Sequence, residues 1–321
     1  MILVTGGTGF LGSTLIKHLI HAGEQVIATK RSSSTVPQGL RDQPALRWAE
    51  ADITDYFALA DLFEGVSKVY HCAAQISYQP GESEAMLHSN IEGTKHIANL
   101  CLEHQARLVH VSSIASLGPG KNGMPATENC FWDDGAYFSK YSLSKYESEM
   151  QVWRAVAEGL DAVIVNPSII MGAGAADRGA GKLFMVVNKG LKVYPTGSVG
   201  IVDVEDVARL MILLMEDRNI SGERFILNSE NISNKDLLTA IAKLLHKPAP
   251  AIAAKPFLMS VAWRAAKLLS LISRKPPSIT KDTARASSSK MAYSNQKIIK
   301  ATGYSFKAVD LTLKEMSLDY I

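Results

Sequence analysis

The chain has 321 residues, 47% of them hydrophobic and 20% charged, with a net charge of +3 and a pI near 8.6. It therefore reads as globular, long enough for one large domain or two unequal ones, and without a Lys/Arg block interleaved with aromatics nucleic acid is excluded as an expected partner. Cys72, Cys101 and Cys130 have no metal-ligand or CxxC spacing, so neither a metal nor a disulfide is expected. From the first residues onward, Ile2–Val4 form an apolar run that turns on Gly6, Gly9 and Gly12 into an amphipathic stretch with Leu11, Leu15, Ile16, Leu19 and Ile20. A strand, a tight glycine turn and a helix N-terminus are the context in which backbone N–H groups meet a pyrophosphate. A strand at residue 2 leaves no room for a signal peptide, and no run of eighteen apolar residues exists to span a bilayer. The expected location is cytoplasmic.

Further strands are predicted over 25–29, 45–50, 68–72, 107–112 and 162–166, separated by helical patterns over 57–63, 88–104 and 141–158. Alternation of this kind implies a parallel sheet covered on both faces by right-handed crossovers, a doubly wound Rossmann-type α/β fold. The dinucleotide-binding domain is expected over 1–166, with 202–228 returning to it, and a smaller, mostly helical substrate domain over 167–321. Within that region, 183–189 and 202–215 read as helices and 225–228 as a short strand. Later, Phe257, Leu258, Val261, Leu268, Leu269 and Ile272 form an apolar stripe with Arg264, Lys267, Arg274 and Lys275 nearby. A membrane-surface helix is one reading of it. The preferred reading is the core-facing side of a lid helix, with no membrane partner.

Tyr141 and Lys145 stand four residues apart, on one face of a predicted helix. An ammonium beside a phenol favours phenolate and lets tyrosine exchange a proton near neutrality. Ser112 and Ser113 end the preceding strand, where a hydroxyl can hydrogen-bond a substrate oxygen as its charge changes.

In this order the motifs closely resemble those of the extended short-chain dehydrogenase/reductase family over roughly residues 1–230. The resemblance implies that Gly6, Thr8, Gly9, Phe10, Leu11 and Gly12 cradle the cofactor, with Asp52 and Ile53 at the adenine and Ala73 and Ala74 beside the ribose. It implies that Tyr141 is the general acid/base and that Lys145 lowers its pKa and holds the nicotinamide ribose. Ser113 would position the substrate, Asn90 would support a water-linked proton relay, and Pro167, Ser168 and Ile169 would meet the nicotinamide amide. The Val202–Ala208 segment resembles a family stretch expected to be mainly structural. Family resemblance also raises a homodimer through helices 88–104 and 141–158.

An acid at the end of the second strand usually binds the ribose diol of NAD. Here the strand runs into Lys30, Arg31 and Ser32, which suit a 2′-phosphate, so NADP(H) is expected, with NAD(H) as the alternative. The stretch from Val165 to Gly172 resembles that of dihydroflavonol-reductase-like members. The favoured reaction is therefore reduction of a carbonyl, or oxidation of an alcohol, on a small apolar or aromatic substrate. A nucleotide-sugar epimerase or dehydratase with tightly held NAD is the alternative, for which Arg178, Lys182, Lys189 and Lys192 are available cations. A binding-only protein is the weakest reading, because Ser113, Tyr141 and Lys145 are all intact. Gln75, Ile76, Ser77, Tyr78, Phe131, Trp132, Phe138, Met171 and Phe184 are candidates for the substrate walls.

Overall fold

A computed structural model describes residues 1–132, 139–175, 179–273, 277 and 279–320. Its centre is a seven-stranded sheet built from β1 (Ile2–Thr5), β2 (Val26–Lys30), β3 (Leu46–Glu50), β4 (Lys68–His71), β5 (Arg107–Val111), β6 (Ala162–Pro167) and β10 (Glu223–Leu227). The spatial order is β3-β2-β1-β4-β5-β6-β10, and every neighbouring pair is parallel. The order reverses between β1 and β4, which opens a crevice at their carboxyl ends.

Successive strand residues face opposite sides of the sheet, and the apolar composition serves both sides. Ile2 and Val4 pack with Leu15, Ile16 and Leu19 of α1 (Phe10–His21) and with Leu210, Met211 and Leu214 of α6 (Val204–Glu216). Leu3, Ile27, Val69 and Leu108 pack on the other side. There they meet α2 (Tyr56–Ala60), Ile97 and Leu100 of α3 (Ser83–Glu103), and Val152 and Ala155 of α4 (Lys140–Ala157).

The rest of the chain builds around a separate apolar cluster. Its elements include β7 (Ile169–Met171), α5 (Gly181–Asn188), β8 (Val193–Pro195), β9 (Ser198–Asp203), β11 (Glu230–Ser233), α7 (Asn234–Leu244), β12 (Ile252–Ala254) and α11 (Val309–Ser317). β7, β9 and β11 make a three-stranded sheet, and β8 pairs with β12. The 202–215 segment, read from sequence as one helix, instead ends a strand and then starts α6. Asp203 divides the two, because its Oδ1 accepts from the Glu205 N–H at 2.8 Å and caps the helix.

Asp203 and Asp206 then tie down the tail. Asp203 accepts from Thr312 Oγ1 at 2.6 Å and pairs with Lys307 at 3.1 Å, and Asp206 accepts from Tyr304 OH at 2.8 Å and Lys307 N at 2.9 Å. The expected structural role of this segment is what the contacts give. Between the tail and α7 run α8 (Pro256–Ser273), α9 (Lys281–Ser288) and α10 (Gln296–Thr302). The α8 stripe does not face the core as expected: Phe257, Leu258, Val261, Leu268 and Leu269 are all exposed.

Candidate active site

Because the main sheet is parallel, the loops after β1, β2, β3, β4, β5 and β6 all emerge at one edge. Gly6, Arg31, Asp52, Ala73, Ser113 and Ser168 each follow one of these strand ends. The sequence-predicted residues are thus gathered along a single rim.

The glycine turn is the tightest part of that rim. Gly6 has φ +69°, and a Cβ there would meet the Ala73 backbone at 2.8 Å. A Cβ on Gly12 would stand 2.4 Å from the Gly6 carbonyl oxygen. Gly9 N donates to that same oxygen at 2.9 Å and forms the N-cap of α1 without any side-chain cap. The first turn of α1 holds no acid, so the unoccupied N–H groups and the positive helix end suit an anion. The cradle therefore fits a dinucleotide pyrophosphate.

Beside the ends of β2 and β3 a cavity of about 390 Å³ is lined by Arg31, Ser32, Ser33, Glu50, Ala51, Asp52, Asp55 and Ala58. Lys30 is drawn to Glu50 at 3.3 Å, which leaves Arg31 and the two hydroxyls as the groups lining the cavity that can meet a phosphate. Asp52 accepts from Thr54 N at 2.9 Å and Thr54 Oγ1 at 2.8 Å, so one carboxylate oxygen shapes its own turn. Ile53 lies beneath Gly93, where a Cβ would stand 2.5 Å from its Cδ1.

Tyr141 and Lys145 sit one turn apart on α4, whose start is capped by Ser139 accepting from Ser142 N at 3.0 Å. Ser113 lies close enough to Tyr141 to act on its phenol, and the Tyr141 ring lies 5.5 Å from that of Tyr78. Burial raises the phenol pKa well above its ordinary value, Tyr78 adds to the rise, and the Ser113 side chain opposes it. Lys145 is absent from these causes. Its Nζ donates to the Val111 carbonyl at 3.0 Å, and burial lowers its pKa from 10.5 to about 8. The lysine expected to acidify the tyrosine instead exerts its charge on His71 and Cys72.

Asn90 is buried beside this pair. Its Oδ1 accepts from Gln75 N at 2.7 Å, and its Nδ2 donates to Gln75 O at 2.9 Å and Ser144 Oγ at 3.1 Å. The amide thereby ties the loop after β4 to α3 and α4. Behind it, His71 and His110 stack at 5.2 Å, both buried. His71 spans Thr5 Oγ1 at 2.7 Å and Thr94 Oγ1 at 3.1 Å, whereas neither ring nitrogen of His110 has a partner among the described residues.

One supporting group escaped the sequence reading. Glu149, one turn beyond Lys145, is fully buried and accepts from Ser112 Oγ at 2.6 Å, Ser116 Oγ at 2.7 Å and Asn166 Nδ2 at 2.9 Å. Its other oxygen pairs with Arg224 Nη1 at 2.8 Å, and Asn166 Nδ2 also donates to the Ser113 carbonyl at 3.1 Å. These contacts hold the Ser113 loop from beneath. Continuing the Tyr141, Lys145 spacing by four more residues would have found Glu149, but not its partner on β10.

Among the wall candidates, Tyr78 faces Tyr141, Trp132 stacks on Tyr146 at 4.6 Å, and Ile76 and Phe131 are exposed. Ser77 is buried and donates to Glu82 at 2.5 Å. Met171 and Phe184 are not walls: both are fully buried in the second apolar cluster, and Phe184 stacks on Tyr320 at 5.1 Å. Phe138 and Arg178 lie outside the described residues. Pro167 is buried at the end of β6, Ser168 N donates to Leu227 O at 2.9 Å, and Ile169 opens β7.

A doubly wound sheet with a glycine-turn anion site and a Ser, Tyr, Lys set on its rim defines an NAD(P)-dependent oxidoreductase of the extended short-chain dehydrogenase/reductase type. The chain belongs to the NAD-dependent epimerase/dehydratase family, whose model matches residues 2–227. It is 31% identical over 308 residues to a Synechocystis protein named as a dihydroflavonol 4-reductase, covering 94% of this chain and 88% of that one. It is 30% identical over 243 residues to the Arabidopsis thaliana tetraketide alpha-pyrone reductase 2, covering 68% and 75%. The solved structure of gox2253 superposes with a TM-score of 0.86 at 29% identity, covering 100% of this chain and 97% of that one.

Proposed function

We propose that this chain is an NADP(H)-dependent reductase of a small apolar or aromatic carbonyl compound, working in reverse as an alcohol dehydrogenase, with Tyr141 as proton donor and acceptor. The observation that carries the reading is the placement of Tyr141 beside Ser113 and one turn from Lys145, on the same sheet edge as the uncapped N-terminus of α1. Similarity to proteins named as reductases supports the same chemistry.

The bound nicotinamide would supply the hydride. The α1 N-terminus and Gly6–Gly12 would hold the pyrophosphate, Asp52 and Ile53 the adenine, and Arg31 and Ser32 a 2′-phosphate, with Ala73 and Ala74 beside the ribose. Lys145 and Tyr141 would meet the nicotinamide ribose, and Pro167, Ser168 and Ile169 its amide. Ser113 donates to the substrate oxygen and holds it against Tyr141. Tyr141, kept protonated at neutral pH by burial, donates its proton as charge develops on that oxygen. Such a phenol is better matched to carbonyl reduction than to alcohol oxidation at neutral pH. The Tyr78 ring and the exposed Ile76 give the rim its apolar character.

Purified protein is to be assayed with NADPH against aromatic aldehydes and ketones, beside UDP- and dTDP-sugars without added cofactor. Carbonyl-dependent NADPH oxidation that Tyr141→Phe abolishes is the expected result. Conversion of a sugar nucleotide by protein that already carries NAD would overturn it.

A further inference from the structure

Five large apolar side chains on α8 stand in solvent: Phe257, Leu258, Val261, Leu268 and Leu269 are each between 50% and 76% exposed. At 3.6 residues per turn, these five and Ala265 fall within an arc of roughly 120°. The opposite side, with Met259, Ala262, Trp263 and Ala266, is half-buried where the helix packs toward α9 and β12. Single exposed apolar residues are ordinary, but a continuous stripe on one helix marks a binding face.

The charge around that stripe has one sign. From Lys255 to Pro277 the sequence contains Lys255, Arg264, Lys267, Arg274 and Lys275 and no Asp or Glu, in a chain with 34 basic and 31 acidic residues. Arg264 and Lys267 are exposed along one flank of the stripe, and the Arg264 guanidinium lies 4.7 Å from the Trp263 ring. Pairing two copies of α8 would set cation against cation with no acid to offset them. An interface of anionic headgroups over acyl chains offers both complements at once. Among the described residues no helix is long and apolar enough to cross a membrane, so this one would lie on the surface.

The position of α8 gives the contact a consequence for the site. Pro277, just beyond the helix, accepts from Gln79 Nε2 at 3.4 Å, and Asp282 of α9 acts electrostatically on Tyr78, the neighbour of Tyr141. The helix therefore hangs beside the active-site rim.

We propose that α8 docks this chain on an anionic lipid surface, with Phe257, Leu258, Val261, Leu268 and Leu269 in the headgroup–acyl boundary and the rim of the site turned toward it. A corollary, which rests on the reductase reading, is that an apolar carbonyl substrate enters from the bilayer.

The test is flotation of the full chain with vesicles of phosphatidylcholine alone, or of seven parts phosphatidylcholine to three of phosphatidylglycerol. Binding to the anionic vesicles is expected, weakened by salt. Leu268→Glu with Leu269→Glu lowers it by at least about tenfold, and Arg264→Gln with Lys267→Gln lowers it by roughly thirtyfold, while the melting temperature holds. Wild-type protein that floats with neither vesicle overturns the proposal, as does equal flotation with both. A wild-type dimer that Leu268→Glu with Leu269→Glu converts to monomer, with no flotation, assigns the face to a second copy instead. Flotation does not depend on turnover: binding without carbonyl reduction removes the reductase reading and leaves the docking face standing.

Discussion

Tyr141 is a phenol that burial keeps protonated, beside an ammonium that burial brings close to losing its proton. Removing the hydroxyl in Tyr141→Phe is expected to lower kcat by about a hundredfold to ten-thousandfold with little change in cofactor affinity, checked by steady-state kinetics and cofactor titration. For Lys145 the sign follows from its drop from 10.5 to about 8: between those values the folded chain holds fewer protons than the unfolded one. Ammonium-dependent activity therefore falls above pH about 8, although this group's contribution to stability rises over the same window. The pH profile of kcat/KM checks it, and Lys145→Arg, which stays charged, is expected to push the falling limb upward. If the proposed 2′-phosphate contact holds, Arg31→Ala is expected to reduce kcat/KM for NADPH by roughly tenfold to a hundredfold and to leave NADH nearly unaffected. Competing assays with the two cofactors read this directly. The Gly6 turn and the Tyr141, Lys145 pair were legible in the sequence because their spacing is their geometry. The direction of the Lys145 ammonium was not, because it depends on the Val111 carbonyl across the sheet edge.

At the scale of elements, α4 carries Tyr141, Lys145 and Glu149 on one face. Glu149 and Arg224 are both buried, and their ion pair joins α4 to β10 while Arg224 also donates from Nε to the Glu128 carbonyl at 2.8 Å. Arg224→Met would strand the Glu149 carboxylate, and a loss of about 3 to 5 kcal/mol is expected in denaturant unfolding. Gly12→Ala would force its Cβ to within 2.4 Å of a backbone oxygen that no rotamer can move. Loss of dinucleotide binding together with a lower melting temperature is the expected outcome, with isothermal titration and thermal scans as the checks. The long, regular elements of the main sheet were readable from alternating apolar runs and helical periods. β7, β8, β11 and β12 were not: they are no shorter than β1 and β4 or only one residue shorter, but they lack the regular alternation with helices that marked those two. Their pairing is decided by partners far along the chain.

Across the whole molecule, the tail closes back on the sheet through a few buried acids. Asp203→Ala removes a helix cap and the contacts to Thr312 and Lys307 together, so the stretch after residue 290 should become protease-sensitive while the glycine turn still binds cofactor. The half-buried Leu87, Ile91, Leu143 and Met150 of α3 and α4 belong to none of the apolar clusters, and a homodimer through these helices remains our proposal, to be read by light scattering. The exposure of the α8 stripe was not legible, because an amphipathic period reports that a helix has an apolar side without reporting what meets it. The stacked imidazoles of His71 and His110 have a further consequence. Burial lowers His71 to about 3 and His110 in the same direction, so below pH about 6.5 the unfolded chain takes up protons that the folded sheet refuses. Mild acid should lower the stability of the whole fold before its carboxylates are neutralised, and a purification or assay held near pH 5 would sample a weakened enzyme.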